Sequence, residues 1–250
     1  MILLTTATPW ETRPLAAGLG LAQDPGSSGL YAGVMAGRRL LLAEVGVGPR
    51  RAAEALKRLD GRTAALVLSA GFAGALAPGL SPGDLVADLR GAPAGWGEAA
   101  QKIAARIGAA LSLGQVVSVD HVCTPAEKMR LGAVALSGAV APSGKGEERA
   151  SGDDRPLAVD MESETVRAWA ASRGAGFLSV RVVLDAADER MPAAAPKGAG
   201  AGALARYVLG NLRDVPVIAR LALRQGPAMR RLCGFLKPWI SEVLPDGNDA

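Results

Sequence analysis

Apolar residues along the chain follow two spacings, which together predict a sheet of buried strands with helices between them. Continuous runs rich in Leu, Ile and Val at residues 1–6, 64–69 and 177–184 favour buried strands. Helical spacing of apolar residues favours helices at 10–19 and 50–59. Strands and helices that alternate in this way are typical of an α/β protein.

The stretch 157–188 predicts a strand, a helix and a second strand, with an acidic residue near the end of each strand. Glu162 follows the first strand, and Asp185 ends the second. Such a unit almost always closes as a right-handed crossover between parallel strands. We therefore expect both carboxylates at the carboxyl edge of one sheet, where open α/β sheets bind ligands.

Two carboxylates that face one crevice can divide acid and base duties if their surroundings push their pKa values apart. The alternative interpretation is that acidic residues at strand ends are helix N-caps or solvated loop residues. A third acid, Glu11, stands at the turn from the first strand into the next helix, where favourable placement at a helix N-terminus is again the alternative to chemistry. The residue pattern leaves both interpretations open.

The remaining segments extend the alternation of strands and helices. The sequence predicts hairpin strands at 30–35 and 39–45, a glycine-rich loop at 71–79, a helix at 98–111, a strand at 115–119 and a short helix at 125–131. The polar, Gly/Ser/Pro-rich stretch 141–156 predicts a mobile surface insertion. Because no domain boundary is visible, a single domain of residues 1–250 is predicted.

The C-terminal region 202–240 predicts a basic helical tail. Its helices are predicted at 203–212, 216–224 and 227–237, and the last two open with Pro. Seven Lys and Arg residues between positions 202 and 238 stand against one acidic residue, Asp214. We interpret this excess as a solvated basic face beside an apolar packing face. The alternative is a helix that rests on an anionic membrane or a lipid substrate.

The composition narrows the possible classes of function. The net charge of +4 is modest and lacks the interleaved aromatic residues of single-strand binders, so no nucleic-acid partner is expected. Two Cys and one His allow no disulfide framework and no multi-histidine metal centre, so no metal is predicted. The first residues lack the basic segment of a signal peptide, and no apolar run reaches the roughly 18 residues that span a membrane. These features favour the cytoplasm.

Two segments resemble the core signature of the purine nucleoside phosphorylase and nucleosidase superfamily. VDMES at 159–163 is followed by SVRVVLDAAD at 179–188, and the nearest pattern is that of the 5'-methylthioadenosine/S-adenosylhomocysteine nucleosidases. GFAGALAP at 71–78, with a GD pair shortly after it, resembles the family segment G-x-A-G-G-L-x-P…GD. The resemblance covers residues 1–190. It implies a phosphorylase/hydrolase-like fold, a three-layer α/β/α sandwich with a central mixed sheet.

The resemblance also implies catalytic roles for three acids. In the family, a Met-Glu pair that matches Met161 and Glu162 holds the ribose. Asp185 matches the Asp that protonates the purine, and Glu11 falls at the position of a Glu that activates the attacking water. The substrate-binding residues implied in this way are Met161, Glu162, Arg181, Gly71, Phe72, Ala73, Val47, Val122 and Cys123.

The sequence departs from the nucleosidase pattern within the glycine-rich stretch. Phe72 stands in place of a small hydroxyl residue, and Ala75 stands in place of a Gly. Phe72 has two interpretations, as a ring that stacks on a base or as one that narrows the site. His121 is interpreted as a structural or gating side chain rather than as a catalyst.

The activity that the resemblance implies is cleavage of the N-ribosidic bond of a purine nucleoside, with hydrolytic release of adenine from a 5'-substituted adenosine. Hydrolysis is favoured because the strand 64–69 lacks the Arg that phosphorylases place there, although Arg13 and Arg50 could still reach the site. No cofactor is implied, with inorganic phosphate as co-substrate if the protein is a phosphorylase.

Two alternative functions stay open at this point. The VDMES form and the basic tail also resemble the hopanoid-associated phosphorylase-like group, which releases adenine from adenosylhopane, and the tail would then suit peripheral membrane contact. The second alternative is a catalytically silent nucleoside-binding scaffold. The implied partners are a small-molecule purine nucleoside and further copies of the chain, as a homodimer or a higher homo-oligomer.

Overall fold

A computed structural model of the chain describes residues 1–134, 155–192 and 212–244. The strands are β1 (Ile2–Thr6), β2 (Ala22–Gln23), β3 (Leu30–Met35), β4 (Arg38–Glu44), β5 (Leu66–Ala75), β6 (Leu85–Asp88), β7 (Leu111–Leu113), β8 (Gln115–Ser118), β9 (Pro156–Asp160) and β10 (Gly176–Asp185). The helices are α1 (Pro9–Leu19), α2 (Pro49–Lys57), α3 (Trp96–Arg106), α4 (Pro125–Val134), α5 (Ser163–Ala171) and α6 (Val215–Glu242), and a single 3-10 turn covers Leu212–Asp214. Two predicted segments lie almost wholly outside the described residues. Only residues 155–156 of the predicted insertion 141–156 are described, and only residue 212 of the predicted helix 203–212.

The strands form one mixed sheet, as predicted. Its order is β2-β3-β4-β1-β5-β10-β6-β7, and β9 joins β5 to β8 beside this path. The central strands β4, β1, β5 and β10 are parallel to one another. The predicted hairpin β3–β4 is confirmed as an antiparallel pair, and β6 is antiparallel to β10.

Helices cover both faces of the sheet. Successive side chains of a strand point to opposite faces, and β1 shows this with two neighbouring leucines. Leu4 packs in a core cluster with α1, α3 and α6, whereas Leu3 packs in a second cluster with α2 and α5. The predicted three-layer sandwich is therefore confirmed.

The predicted parallel crossover from β9 through α5 to β10 is wrong. β10 runs parallel to β5, but β9 runs antiparallel to β5, with Val159 opposite Gly74. The two strands therefore run in opposite directions. The reason is that β9 does not join the sheet beside β10; it pairs with the last residues of β5 on one edge and with β8 on the other.

The glycine-rich stretch after residue 69 is a strand rather than the predicted loop. β5 continues through Ala75 because its backbone pairs with β10 along most of its length and with β9 at its end. The stretch 98–111 is also only partly helical: α3 ends at Arg106, and Leu111–Leu113 forms β7 beside β6.

The C-terminal region forms one helix of 28 residues instead of the two predicted helices that open with Pro. Pro227 and Pro238 both lie inside α6. An internal proline costs a helix roughly 3 kcal/mol, but α6 buries Leu232, Phe235 and Trp239 in the main core cluster, and each such side chain contributes about 1.5–3 kcal/mol. The apolar packing face of the predicted tail is thus confirmed, and that face belongs to the core of the fold.

No helix within the described ranges combines the length and the apolar character that crossing a membrane requires.

Candidate active site

Glu11 connects the end of β1 and the start of α1 to the middle of β5. Its Oε2 accepts hydrogen bonds from the backbone N–H groups of Ala7 at 3.1 Å and Thr8 at 2.7 Å. Its Oε1 accepts one from the backbone N–H of Phe72 at 2.7 Å. The side chain is buried, and burial raises the pKa of Glu11 against the opposing effect of these hydrogen bonds. Glu11 therefore occupies the capping position that the sequence allowed, and it is also a buried acid.

Glu162 stands at the N-terminal end of α5 and reaches the glycine turn that follows β4. Its Oε1 accepts a hydrogen bond from the backbone N–H of Gly48 at 2.6 Å. The backbone of Gly48 has φ of 90°, a conformation that favours glycine. Burial, with a smaller contribution from the Asp160 carboxylate, raises the pKa of Glu162 to about 7. This carboxyl can therefore gain or lose a proton near neutral pH.

Arg181 is a buried cation whose charge acts on both of these glutamates. It is buried in β10, forms an ion pair with Asp160 at 2.5 Å, and donates hydrogen bonds to the hydroxyls of Ser69 at 2.5 Å and Ser163 at 2.8 Å. Its positive charge lowers the pKa of both Glu11 and Glu162. The predicted substrate-binding Arg181 is thus held by protein groups at the centre of the carboxylate cluster.

Position 71 of β5 has no room for a residue larger than glycine, because side chains of the carboxylate cluster lie against its backbone. A Cβ atom at this position would overlap the carboxyl of Glu11 and lie 2.9 Å from Nη1 of Arg181. Gly71 is opposite Arg181 in the β5–β10 pairing. At Gly71, therefore, the side chains of Glu11 and Arg181 lie close to the glycine-rich backbone.

Asp185 lies at the other end of the glycine-rich stretch, beside Gly74. A Cβ atom on Gly74 would lie 3.1 Å from Oδ2 of Asp185 and 3.3 Å from Cε of Lys128. Asp185 and Lys128 are both buried and form an ion pair. Burial raises the pKa of Asp185, and the Lys128 ammonium opposes that rise. The acid that was predicted to protonate a purine therefore has a buried lysine as its partner.

Lys128 is the functional candidate that the sequence reasoning missed. It lies on the short helix predicted at 125–131, where a lysine ordinarily faces solvent, since fully buried lysines are rare unless paired. The sequence signal that pointed to Asp185 was its place at a strand end. No comparable signal marks a lysine whose partner is 57 residues away.

The acids form two centres along β5 rather than one point. Glu11 lies near Gly71, and the charge of Arg181 acts on both Glu11 and Glu162, whereas Asp185 lies near Gly74. Three residues of a strand span about 10 Å. The sheet-edge geometry that was predicted for Glu162 and Asp185 is wrong, since their strands are antiparallel. The far end of β5 brings the two regions together instead, because it pairs with both β9 and β10.

The other predicted binding residues lie along the same backbone segments. Val47 is exposed next to Gly48, and Cε of Met161 lies 3.9 Å from the place of a Cβ on that glycine. The ring of Phe72 is half-buried and packs against the main core cluster, and Ala73 is buried. Val122 and Cys123 lie between β8 and α4. Substrate contact by these residues stays a prediction.

Three side chains near the start of α4 offer donor atoms that lie within 4.8 Å of one another: His121, Cys123 and Glu127. Hydrogen bonds within the turn account for their positions. Nδ1 of His121 lies 2.8 Å from Oδ1 of Asp120, and the backbone N–H of Thr124 donates to Oε2 of Glu127 at 2.8 Å. The arrangement is that of a capped helix N-terminus, which suits the structural role expected of the exposed His121.

A surface cleft of about 300 Å³ lies away from the carboxylates, between the end of α3 and α6. It is lined by Ile107, Pro227, Arg230, Arg231 and Gly234. None of these lining residues is an acid, and none of the site residues predicted from the sequence lines this cleft.

Fold and site together define a three-layer α/β protein in which buried carboxylates and a buried arginine surround the last half of one strand. Residues 1–87 match the family model described as the Phosphorylase superfamily. The match includes Glu11, Gly48 and Gly71. The resemblance to that superfamily, first seen in the sequence, is confirmed.

Solved structures of nucleosidases share the fold over nearly the whole chain. The 5'-methylthioadenosine/S-adenosylhomocysteine nucleosidase of Campylobacter jejuni is 16% identical, with a TM-score of 0.66 over 97% of this chain and 99% of that one. The S-adenosylhomocysteine nucleosidase of Streptococcus pyogenes is 18% identical, with a TM-score of 0.66 over 98% and 97%. Futalosine hydrolase of Helicobacter pylori is 17% identical, with a TM-score of 0.66 over 97% of each chain. A search of curated proteins gave no match.

Proposed function

We propose that the protein cleaves the N-ribosidic bond of a purine nucleoside, and that it releases adenine from a 5'-substituted adenosine by hydrolysis. The observation that supports this most directly is the placement of Asp185 and Glu162. Each is a buried carboxyl with a raised pKa; Asp185 lies beside Gly74 of β5, and Glu162 binds the backbone of Gly48. Cleavage needs a proton donor at the base and carboxylates at the sugar. We assign Asp185 to the base, and Glu162 with Glu11 to the sugar.

Asp185 acts at the base. Cleavage leaves the electron pair of the C–N bond on the purine, so a proton delivered to a ring nitrogen makes the base a better leaving group. A carboxyl whose pKa is raised by burial holds a proton closer to neutral pH than an exposed aspartate does. General acid catalysis of this kind contributes about 10² to 10⁴-fold in rate.

Glu162 and Glu11 act at the sugar. Glu162 accepts hydrogen bonds from ribose hydroxyls, and its negative charge opposes the positive charge that develops on the ring as the C–N bond breaks. Glu11 takes a proton from water while the water oxygen forms the new bond to the anomeric carbon. Each step balances, since one proton leaves water and one proton reaches the base.

Water is the proposed nucleophile because the arginines that could bind phosphate are engaged or exposed elsewhere. The Arg50 side chain is 91% exposed and pairs with Glu54 at 3.2 Å. Arg13 lies near Glu44 and lowers the pKa of that acid. The similar solved structures include a futalosine hydrolase and several nucleosidases, names that also favour hydrolysis.

The test is a base-release assay on a panel of 5'-substituted adenosines, with chromatography of the products in phosphate and in an inert buffer. We expect adenine and free 5'-substituted ribose at equal rates in both buffers. A rate that requires phosphate would replace hydrolysis with phosphorolysis. Binding of the nucleosides without any adenine release would favour the silent scaffold.

Exposed apolar residues adjacent in sequence to Glu11 and Gly48 favour a second candidate, release of adenine from adenosylhopane. Trp10, which is 66% exposed, precedes Glu11, and Val47, which is 38% exposed, precedes Gly48. Such side chains suit an apolar 5' substituent better than a charged one. A higher kcat/KM for a long-tailed apolar adenosine than for methylthioadenosine would support this candidate, and the reverse order would remove it.

A further inference from the structure

Lys128 is among the largest fully buried side chains of the described residues. Its ammonium group meets three acceptors at the end of β10. One is Oδ2 of Asp185, and the others are the backbone carbonyls of Ala186 at 2.9 Å and Glu189 at 3.2 Å. Three acceptors match the three donor hydrogens of a lysine, so the ammonium is held in one orientation.

The helix that carries Lys128 is fitted closely to the end of β5. A Cβ atom on Gly132 of α4 would overlap the carbonyl oxygen of Leu76. On the other side of the contact, Gly74 leaves room for the lysine, whose Cε would lie 3.3 Å from a Cβ at that position. Two glycines thus allow α4 to place a cation against Asp185.

A contribution to stability alone does not account for this pair. Taking both charges out of water costs several kcal/mol per ion, and buried ion pairs often stabilise a fold no better than apolar residues of the same volume. The pair also involves the one acid that the proposed chemistry places at the purine. A group in contact with that acid affects both its orientation and its charge.

We propose that Lys128 is a positioning residue for base protonation: it holds the Asp185 carboxyl in one orientation by Oδ2 and leaves Oδ1 to face the purine. The inference rests on the proposed function. Lys128 touches Asp185 and not the reacting atoms, so its effect on the reaction passes through that acid.

The charged and titratable groups around Asp185 come from several elements. Lys128 approaches from α4, Cys123 from the loop before it, Glu189 from the segment after β10, and Arg224 from α6. Arg224 donates to both oxygens of Glu189, at 2.6 and 3.0 Å, so these two charges largely offset each other. Lys128 is therefore the group whose removal changes the surroundings of Asp185 most.

The charge on Lys128 has a predictable effect on Asp185. An opposite charge within about 4–6 Å lowers the pKa of a carboxyl by about 1 to 3 units. The variant Lys128→Met keeps the length of the side chain and removes the charge, so the pKa of Asp185 should rise by that amount. Lys128→Arg keeps the charge and should keep the pKa of Asp185 near its wild-type value.

The experiment measures both the acid and the reaction. Aspartate labelled with 13C at the carboxyl carbon reports the titration of Asp185 by NMR, with the resonance identified by its loss in Asp185→Asn. The pH profile of kcat/KM for adenine release reports the same acid in the free enzyme through its alkaline limb. Lys102→Met is the control, since that lysine is 75% exposed and pairs with Glu98 on the surface of α3.

In Lys128→Met we expect the NMR titration and the alkaline limb to move together to higher pH by about 1 to 3 units, with no movement in Lys102→Met. The proposal is overturned if Asp185 titrates at its wild-type pH in folded Lys128→Met. It is also overturned if the titration of Asp185 moves while the alkaline limb of the kcat/KM profile stays in place. If Lys128→Met does not fold, the test passes to Lys128→Arg. The proposal is supported if Asp185 of Lys128→Arg titrates as in wild type, and it is overturned if that titration is lost. If the wild-type chain releases no base, the proposed function fails, while the titration still decides whether Lys128 sets the charge of Asp185.

Discussion

Three acids of the site are buried, and each is placed against a different group of donors. Glu11 accepts three backbone hydrogen bonds, Glu162 accepts one from Gly48, and Asp185 pairs with Lys128. Burial raises the pKa of all three, and the donors beside each acid oppose that rise. A buried carboxyl with a raised pKa is suited to hold and transfer a proton closer to neutral pH than an exposed one.

The raised pKa of Glu162 predicts a pH-dependent effect on stability. Its pKa is about 7 in the folded chain against 4.5 as the ordinary value. The protonated form is therefore favoured by folding, and this contribution is lost as the pH rises through 7. The free energy of unfolding of Glu162→Gln minus that of wild type should therefore increase from pH 5 to pH 8, by on the order of 1–3 kcal/mol.

Denaturant unfolding of both chains at pH 5 and pH 8 measures this difference. Glu164→Gln is the matched control, because Glu164 is exposed on the same first turn of α5 and should show no change between the two pH values. A Glu162→Gln difference that is equal at both pH values would mean that Glu162 is ionised throughout this range.

At the residue scale, the sequence indicated the acids as candidates but not the groups that contact them. Asp185 and Glu162 were candidates because each follows an apolar run, and the resemblance to the nucleosidases implied their roles. Lys128 was not found, since its role depends on a contact between α4 and the end of β10, and on the two glycines that permit it. A contact of that kind depends on packing and leaves no periodic signal in the sequence.

At the element scale, α4 should be sensitive to a single added methyl group. Gly132→Ala places a Cβ against the carbonyl oxygen of Leu76 and should destabilise the protein by about 1–3 kcal/mol through overpacking. It should also lower kcat for adenine release, because α4 moves Lys128 with it. Thermal unfolding and base release measure the two effects.

Gly79→Ala is the matched control for that substitution. Gly79 has no atom within 4 Å of an added Cβ, and its φ does not lie in the left-handed region. The control should unfold within about 0.5 kcal/mol of wild type. Equal stability of Gly132→Ala and Gly79→Ala would show that α4 can shift without cost.

The positions of most elements were predictable, but the direction of β9 was not. β1, the hairpin β3–β4, α1 and β10 fall at the predicted places because their apolar periodicity is strong. The direction of β9 was wrong because it depends on pairing with a distant stretch of β5. α6 was divided at Pro227 in the prediction, since helix-start signals are local, whereas burial along the whole helix outweighs an internal proline.

At the scale of the whole molecule, α6 completes one face of the sheet. It contacts α1, α3 and β10, and Trp239 packs against Phe235 and edge-on against Trp96. The resemblance seen in the sequence ended near residue 190, but the likeness in fold to the nucleosidases covers 97% of the chain. The C-terminal region is therefore part of the common fold.

Removal of the Trp239 side chain should cost about 3–5 kcal/mol of stability, as expected for a large aromatic residue in a core. Leu223→Ala is the control on the same helix, since Leu223 is 79% exposed and should matter by less than about 0.5 kcal/mol. Equilibrium unfolding measures both variants. A Trp239→Ala variant as stable as Leu223→Ala would contradict a core role for α6.

The single domain, the homo-oligomeric state, the cytoplasmic location and peripheral membrane contact stay predictions. The basic residues of α6, interpreted as a solvated face with a membrane surface as the alternative, include Arg224, which is bound to Glu189, and Arg231, which donates to the carbonyl of Gly83 at 3.1 Å. These two arginines stabilise contacts within the fold, so the described part of the helix has fewer charges available for a membrane than its composition suggested.

The central claim is that Asp185 protonates the base of a bound purine nucleoside, and adenine release by Asp185→Asn beside Asp188→Asn tests it most directly. Asp188 is an exposed acid three residues further on, so it controls for the loss of a carboxylate in this segment. We predict a fall in kcat of about 10² to 10⁴-fold for Asp185→Asn with the fold intact, and a wild-type rate for Asp188→Asn. Equal rates for the two variants would contradict the account.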